Sequence, residues 1–177
     1  GTDLERAKAM LAEAGHPRGF ATSFSFSVSA APYAEPMAAL IKESLGKIGI
    51  DVQVQKLPDA QFTTSVAERK LPMASINFAA YFVAVEYVMR TFFSGVSQHN
   101  YSGWKRDEIA ELANQAQFET SQEKYNALAR RMMEMVFDDM PVVMLWQPSQ
   151  DAVMARGISG YTYQFHSQVD HRDLRRT

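Results

Sequence analysis

The sequence predicts an α/β fold in which helices pack on a mixed sheet, with residues 1–177 forming a single domain. Three observations lead to this prediction. Stretches with helical apolar spacing alternate along the chain with stretches in which every second residue is apolar. Gly and Pro residues interrupt the pattern at the joins between these stretches. Hydrophobic residues make up 46% and charged residues 21% of the chain, as in an ordinary globular domain that buries a core.

The chain opens with a predicted helix followed by a predicted strand. Thr2 and Glu5 have the spacing of a capping box, in which the two side chains satisfy exposed N–H groups at a helix start. Gly15 provides the left-handed residue that commonly ends a helix. Residues 20–28 then alternate apolar and small polar side chains, which is typical of a half-buried strand.

A second helix and a second strand follow through a compact join. Residues 37–48 carry apolar side chains at helical spacing, and Gly49 ends this helix. The alternation in residues 50–54 predicts a strand beside the first, so these elements form a right-handed βαβ unit with parallel strands. Asp59 follows a proline and is predicted to be the N-cap of a short third helix.

The second half of the chain is predicted to hold a buried strand, several helices and three short closing strands. Residues 73–78 are predicted to form the strand, and residues 86–93 a short helix. Residues 105–118 form an amphipathic helix, and Thr120 opens a longer helix through a capping box with Glu123. The closing strands are expected at residues 142–146, 152–156 and 161–165.

Composition and motifs argue against several classes of function. The chain has no Cys, which excludes disulfides, zinc–thiolate sites and thiol nucleophiles. The net charge of −2 provides no basic face for nucleic acid. No apolar run approaches the ~20 residues of a membrane span, and no nucleophile elbow or phosphate-binding loop is present. We therefore expect no catalytic residue, no cofactor and no nucleic-acid partner.

Two polar motifs need a separate assessment. His166 and His171 lie with Asp170 and Asp173 in the C-terminal tail, but their spacing matches no standard metal-binding motif. We expect no metal site there. Asn100 begins an Asn-Tyr-Ser sequon for N-glycosylation, a pattern short enough to occur often by chance.

Residues 77–87 are the strongest candidates for ligand contact. They leave the C-terminal end of a predicted buried strand, where open α/β sheets bind ligands. Their aromatic side chains suit a binding pocket and a core beneath the next helix about equally well. The candidate contact residues are Asn77, Phe78, Ala79, Ala80, Tyr81, Glu86 and Tyr87.

The order of these segments resembles the C-terminal portion of the oligopeptide-, dipeptide- and nickel-binding family of periplasmic solute-binding proteins, the receptors of ABC importers. The Asn-Tyr-Ser-Gly at residues 100–103, the Pro-Val-Val-Met-Leu-Trp at 141–146 and the Asp-His-Arg-Asp-Leu at 170–174 carry the resemblance with the helix–strand joins. It implies one lobe of a type II periplasmic-binding-protein-like fold with two lobes. Residues from about 150 to 177 would then belong with the missing other lobe.

The resemblance also implies a function. The chain would be the ligand-binding lobe of a periplasmic receptor that delivers a peptide-like or other small solute to an ABC importer. Its partners would be the solute, the missing N-terminal lobe and the membrane permease, and a signal peptide would lie upstream of Gly1. No chemistry of its own is implied, so the chain would not be an enzyme.

The family's peptide-binding members place an Asp, which pairs with the α-ammonium group of the ligand, where this chain has Tyr81. Glu86 is the nearest substitute in the sequence. A ligand that lacks a free amine would suit Phe78 and Tyr81 better. Two other functions stay open: a small stand-alone α/β hydrolase-type enzyme with His99 or His166 as base, and a sensor or interaction domain built on the same lobe.

Overall fold

The computed structural model describes residues 2–77, 81–95, 97–147, 149, 151–164 and 169–177. The chain divides into two compact units, Gly1–Asn77 and Phe78–Thr177. The predicted assignment of residues 1–177 to a single domain, with residues from about 150 onward belonging to another lobe, stays a prediction.

A parallel sheet of three strands forms the centre of the first unit. β1 (Ala21–Ser27) pairs with β2 (Asp51–Leu57) along its whole length and with β3 (Met73–Ala74) through two residues. β1 is therefore the central strand, in the order β2-β1-β3. The helices of this unit are α1 (Leu4–Glu13), α2 (Ala31–Gly46) and α3 (Asp59–Ala67). The predicted α/β class and the predicted parallel pairing of the first two strands are confirmed.

The core of the first unit lies between the sheet and α2. Phe24 and Phe26 lie on the same face of β1, because alternate residues of a strand point the same way, and they are buried together with Val52 of β2. Ala34 and Ala38 lie one turn apart on the buried face of α2, and their small side chains allow the helix to approach the strands closely. α2 begins before the predicted residue 37 and continues through Pro36, although a proline inside a helix removes one backbone hydrogen bond.

Two glycines allow the loops before β1 and β2 to touch. A Cβ atom on Gly19 would lie 1.9 Å from the carbonyl oxygen of Gly49, which is closer than any real contact. Both residues have positive φ angles, 73° and 89°. Glycine is required at Gly19 both by this contact and by the backbone conformation. α2 ends at Gly46, three residues before the predicted Gly49, which follows in the turn that leads to β2.

The predicted N-caps of two helices are shifted by one residue. Asp3, rather than Thr2, caps α1 by accepting the N–H of Arg6 at 2.9 Å. Ser121, rather than Thr120, caps the long helix α6 (Gln122–Asp139). In both places two neighbouring residues have side chains that can cap a helix, and the later one takes the position.

Most of the regular secondary structure of the second unit is helical. It contains α4 (Val85–Val88), a π-helix (Met89–Phe93), α5 (Asp107–Phe118) and α6. α5 and α6 pack on each other around a core that includes Ile109, Ala113, Met132 and Met135. Met140, with φ of 43°, ends α6.

The prediction of three closing strands is wrong. Among the described residues, none of 142–146, 152–156 and 161–164 lies in a strand. β4 (Ile158–Ser159) pairs instead with β5 (Arg175–Arg176) in an antiparallel ladder. The antiparallel and parallel pairs therefore lie in separate sheets. β3 is also shorter than predicted, ending at Ala74, and Phe78 lies outside the described residues.

In the part of the chain that the structure describes, no helix combines the length and the apolar character needed to cross a membrane.

Candidate functional site

The carboxyl edge of the sheet in the first unit is one candidate site. α2 connects β1 to β2, which lies beside β1 on one side. α3 connects β2 to β3, which lies beside β1 on the opposite side. The strand order therefore reverses between β1 and β3. Open α/β sheets bind ligands in the crevice at such a reversal, beyond the carboxyl ends of the strands. Here the chain leaves the sheet at residues 27–30 and 75–77.

Polar groups from the residues after β1 and from the start of α3 meet at this edge. The hydroxyl oxygens of Ser27 and Ser29 lie 3.0 Å apart. The backbone N–H of Ser29 donates to Oδ1 of Asp59 at 3.0 Å. This backbone bond, followed by bonds from the Ser29 and Ser27 hydroxyls, lowers the pKa of the exposed Asp59 carboxyl. Asp59 was predicted to cap α3, which is wrong: it lies inside that helix and holds the β1 loop instead, while Pro58 occupies the cap position.

Asn77 lies just beyond the end of β3. The N–H of Ser75 donates to the carbonyl oxygen of Ser25 at 3.1 Å, which continues the pairing of β3 with β1. Ser25 itself is fully buried, and its hydroxyl lies 3.3 Å from Oε1 of Gln55. Asn77 follows with its side chain exposed. The structure therefore places this predicted contact residue at the edge where ligands bind in open sheets.

Sequence reasoning did not identify Ser27, Ser29 and Asp59 as candidate site residues. The signal that points to them is topological, because the reversal depends on which side of β1 the third strand joins. Alternation of apolar and polar residues shows where a strand ends, but it does not show which strands lie beside it in the sheet.

Residues 81–87, which we call the aromatic segment, form a second candidate site in the second unit. Tyr81 and Phe82 expose 60% and 63% of their surface. The ring of Phe82 meets that of Tyr87 edge to face, with centroids 5.2 Å apart. Exposed aromatic rings offer a large contact area to a ligand at low entropic cost. Their exposure in the structure favours the ligand-contact interpretation of this segment over the core interpretation.

A carboxylate lies in the same segment. Glu86 is half-buried in α4, and the hydroxyl of Tyr125 on α6 donates to its Oε2 at 2.6 Å. The same hydroxyl oxygen accepts the N–H of Val85 at 3.2 Å. Burial, and then the bond to Glu86, raise the pKa of Tyr125, which keeps the hydroxyl protonated and able to donate. Helical spacing in α6 gives no sign of this contact, because Glu86 lies 39 residues away along the chain.

The predicted contact residues fall into three groups. Asn77 lies in the first unit, and Phe78, Ala79 and Ala80 lie outside the described residues. The second unit contains Tyr81, Glu86 and Tyr87. Their role in binding stays a prediction.

Asn100 of the sequon is a buried structural residue. Its side chain is 1% exposed, and Nδ2 donates to the carbonyl oxygens of Ser94 at 3.2 Å and Trp104 at 2.6 Å. Its Oδ1 accepts the hydroxyl of Ser102 at 2.9 Å. An amide committed to these bonds is not accessible for glycosylation, and the Asn and Ser of the motif hold the loop before α5 in place.

The polar residues provide little for metal or acid–base chemistry. Within the described ranges, no group of three His, Asp or Glu side chains is placed to bind a metal ion. His166 lies outside those ranges. The Nδ1 atom of His99, one candidate base of the hydrolase alternative, lies 3.2 Å from the hydroxyl of Tyr101 rather than from a serine.

Comparison with known proteins gives one family match. Residues 1–100 match the sequence profile described as Bacterial extracellular solute-binding proteins, family 5 Middle. The probable D,D-dipeptide-binding periplasmic protein DdpA of Escherichia coli (strain K12) is 26% identical over 135 residues. That alignment covers 75% of this chain and 26% of DdpA.

Two solved structures share the fold. The ABC transporter-associated periplasmic binding protein DppA from Helicobacter pylori, in complex with peptide STSA, is 27% identical with a TM-score of 0.71 over 78% of this chain. The dipeptide binding protein from Pseudoalteromonas sp. SM9913, in complex with Met-Leu, is 20% identical with a TM-score of 0.78 over 99% of this chain. The alignments cover 28% and 36% of those proteins, so this chain spans about a third of their length or less.

Proposed function

Because this chain belongs to the bacterial extracellular solute-binding proteins, family 5, we propose that it is the solute-contacting portion of a longer periplasmic receptor. The receptor would hand a small solute to an ABC permease in the membrane and would perform no chemistry itself. The relatives named above support a peptide-like solute, since they are described as binding dipeptides or the peptide STSA.

The observation that carries the proposal is the aromatic segment. It presents exposed aromatic rings and the carboxylate of Glu86 within a few residues of one another. Small-molecule sites typically combine apolar and aromatic surface with a few placed polar groups. The carboxyl edge of the first unit, with Ser27, Ser29 and Asn77, is the second surface that we assign to the solute.

Exposed apolar side chains after α6 support the proposal that another part of the receptor contacts this chain. The residues that follow α6, at positions 143–146, are Val, Met, Leu and Trp, and all of them are exposed. Contiguous apolar surface of this kind commonly marks an interaction site. We assign this surface to the missing N-terminal lobe. A ligand that touches both lobes stabilises the closed state over the open one, which gives such receptors their affinity.

The test is a binding screen on the full-length protein, using thermal shift against di- and tripeptides, opines, nickel chelates and oligosaccharides. We expect one class to raise the midpoint, and Tyr81→Ala and Phe82→Ala to weaken its binding while the protein still unfolds cooperatively. Phe118→Ala is the matched control, since it removes an aromatic ring that is 79% exposed on α5, outside the aromatic segment. If no class binds, or if all three variants weaken binding equally, the proposal is wrong.

A further inference from the structure

α6 carries exposed apolar side chains in addition to its buried face. Met132 and Met135 belong to the core that α6 shares with α5. Met133 and Phe137, which we call the apolar pair, expose 41% and 70% of their surface instead. They are four residues apart, so they are neighbours on one face of the helix. The described residues leave the apolar pair open to solvent.

A row of charged side chains runs beside the apolar pair. Arg130, Glu134 and Asp138 follow one another at intervals of four residues, so they lie along one side of α6, and all three are exposed. We call them the charged row. Arg130 stands before the apolar pair and Asp138 after it, at equal distances from Glu134. The row is therefore basic at its start and acidic at its end.

The two ends of the charged row lack partners among the described residues. The neighbouring Arg131 has one, since its Nε lies 3.2 Å from Oε1 of Glu108 on α5. Arg130 and Asp138 form no hydrogen bond or ion pair with any described residue, and Asp138 acts on Arg106 only at longer range. The helix dipole also disfavours a carboxylate in the last turn of a helix. α6 itself therefore does not stabilise Asp138.

A second α6 that runs in the opposite direction supplies both partners. Reversal about Glu134 exchanges the ends of the charged row, so Arg130 of each copy lies opposite Asp138 of the other copy. A parallel arrangement would instead place each charge opposite itself, which is unfavourable. The same reversal sets Met133 of each copy against Phe137 of the other. The face is thus self-complementary in charge and in apolar contact, as the interface of a two-fold dimer must be.

We infer that the apolar pair and the charged row of α6 form a surface through which two copies of this chain associate as an antiparallel two-fold dimer. The inference goes beyond the proposed function, because it does not depend on any solute. Methionine and phenylalanine side chains suit such a contact, since methionine adapts its shape to its neighbours. The surface is one helix wide and brings the two Glu134 carboxylates near each other, so the association is weak and reversible.

The test reverses the charges at the ends of the row in the full-length protein. Sedimentation equilibrium from about 1 μM to about 1 mM covers the range of weak association. We expect the wild type to dimerise as its concentration rises. Arg130→Asp and Asp138→Arg should each weaken dimerisation about tenfold or more, because each sets like charges opposite one another twice.

Two combinations of these variants should restore the dimer. The double variant exchanges the two charges within one chain, so each contact again joins an acidic to a basic side chain. An equal mixture of the two single variants pairs them for the same reason. Restoration in either case cannot come from a general loss of folding, and the mixture provides a reading even if the double variant does not fold.

Phe137→Asp tests the apolar contact and should abolish dimerisation. Phe118→Asp is its matched control, because it places the same charge on another exposed phenylalanine, on α5 and outside this surface. A wild type that stays monomeric over the whole range would overturn the inference. Equal losses from both phenylalanine variants would also overturn it, as would a mixture of the single variants that stays monomeric.

Discussion

Arg106 holds Asp139 through a two-pronged ion pair, with Nε 2.8 Å from Oδ2 and Nη2 2.7 Å from Oδ1. Arg106 precedes α5 and Asp139 ends α6, so the pair joins the start of one helix to the end of the other. The indole N–H of Trp104 also donates to Oδ2, at 2.8 Å. The bonds from Arg106 and then Trp104 lower the pKa of the Asp139 carboxyl.

This pair predicts a pH-dependent contribution to stability. Because the pKa of Asp139 is lower in the folded state, its contribution is present above the unfolded-state pKa, about 3.9, and is lost as the pH falls through the folded value. Asp139→Asn should therefore lower the thermal midpoint at neutral pH, and the difference from wild type should shrink on acidification. Thermal unfolding across pH provides the measurement, with Glu134→Gln as an exposed control. A difference that stays constant down to strongly acidic pH would contradict the assignment.

The contact between Gly19 and Gly49 predicts a graded series of alanine variants. Gly19→Ala should prevent stable folding, because its Cβ would overlap the Gly49 backbone. Gly15→Ala meets no atom within 4 Å but has φ of 86°, so it should cost about 1–2 kcal/mol of strain. Gly46→Ala meets neither obstacle at the last residue of α2 and should be neutral or stabilise by at most about 0.5–1 kcal/mol. Denaturant unfolding measures all three, and equal effects at Gly15 and Gly19 would refute the contact.

Buried Asn100 predicts a large effect from a small truncation. Asn100→Ala leaves the carbonyl oxygens of Ser94 and Trp104 without their donor, which should cost about 1–3 kcal/mol or more in unfolding free energy. Asn114→Ala makes the same change at an exposed position of α5 and should be neutral or slightly stabilising. Urea unfolding compares the two. Similar midpoints for both variants would show that the Asn100 amide contributes little.

The proposed two-lobe receptor predicts a difference in affinity between the isolated chain and the full-length protein. In that receptor, residues 1–177 would supply contacts from one side only, so the isolated chain should bind the solute found in the screen weakly or not at all. Calorimetry on both proteins with the same solute gives the comparison. Equal affinities would mean that one side suffices, and the two-lobe account would be abandoned.

Sequence patterns predicted those elements whose structure depends on local periodicity. β1, β2, α5 and α6 follow directly from alternation or helical spacing, because each element buries one face. Two helix starts were predicted one residue too early, since adjacent side chains such as those of Thr2 and Asp3 are both able to cap. Local sequence pattern therefore predicts the type of an element better than it predicts the residue at which the element begins.

Features that depend on a distant partner were not predictable in this way. The apolar run at residues 142–146 predicts a strand, but a strand exists only with a neighbour, and the described residues provide none there. Tyr125 and Glu86 are 39 residues apart, and nothing in either segment indicates the other. The aromatic segment could be named as a candidate because its position after a strand and its composition are visible locally, and its role in binding stays a prediction.

The distance between Glu86 and Tyr125 along the chain also sets an order of events during synthesis. Val85 and Glu86 leave the ribosome 39 or more residues ahead of the tyrosine that fixes them. Domains generally assemble from the amino terminus as the chain emerges. The first turn of α4 therefore has no cap until α6 has been translated and has docked, so a ribosome that stalls before α6 would display this segment without its final conformation.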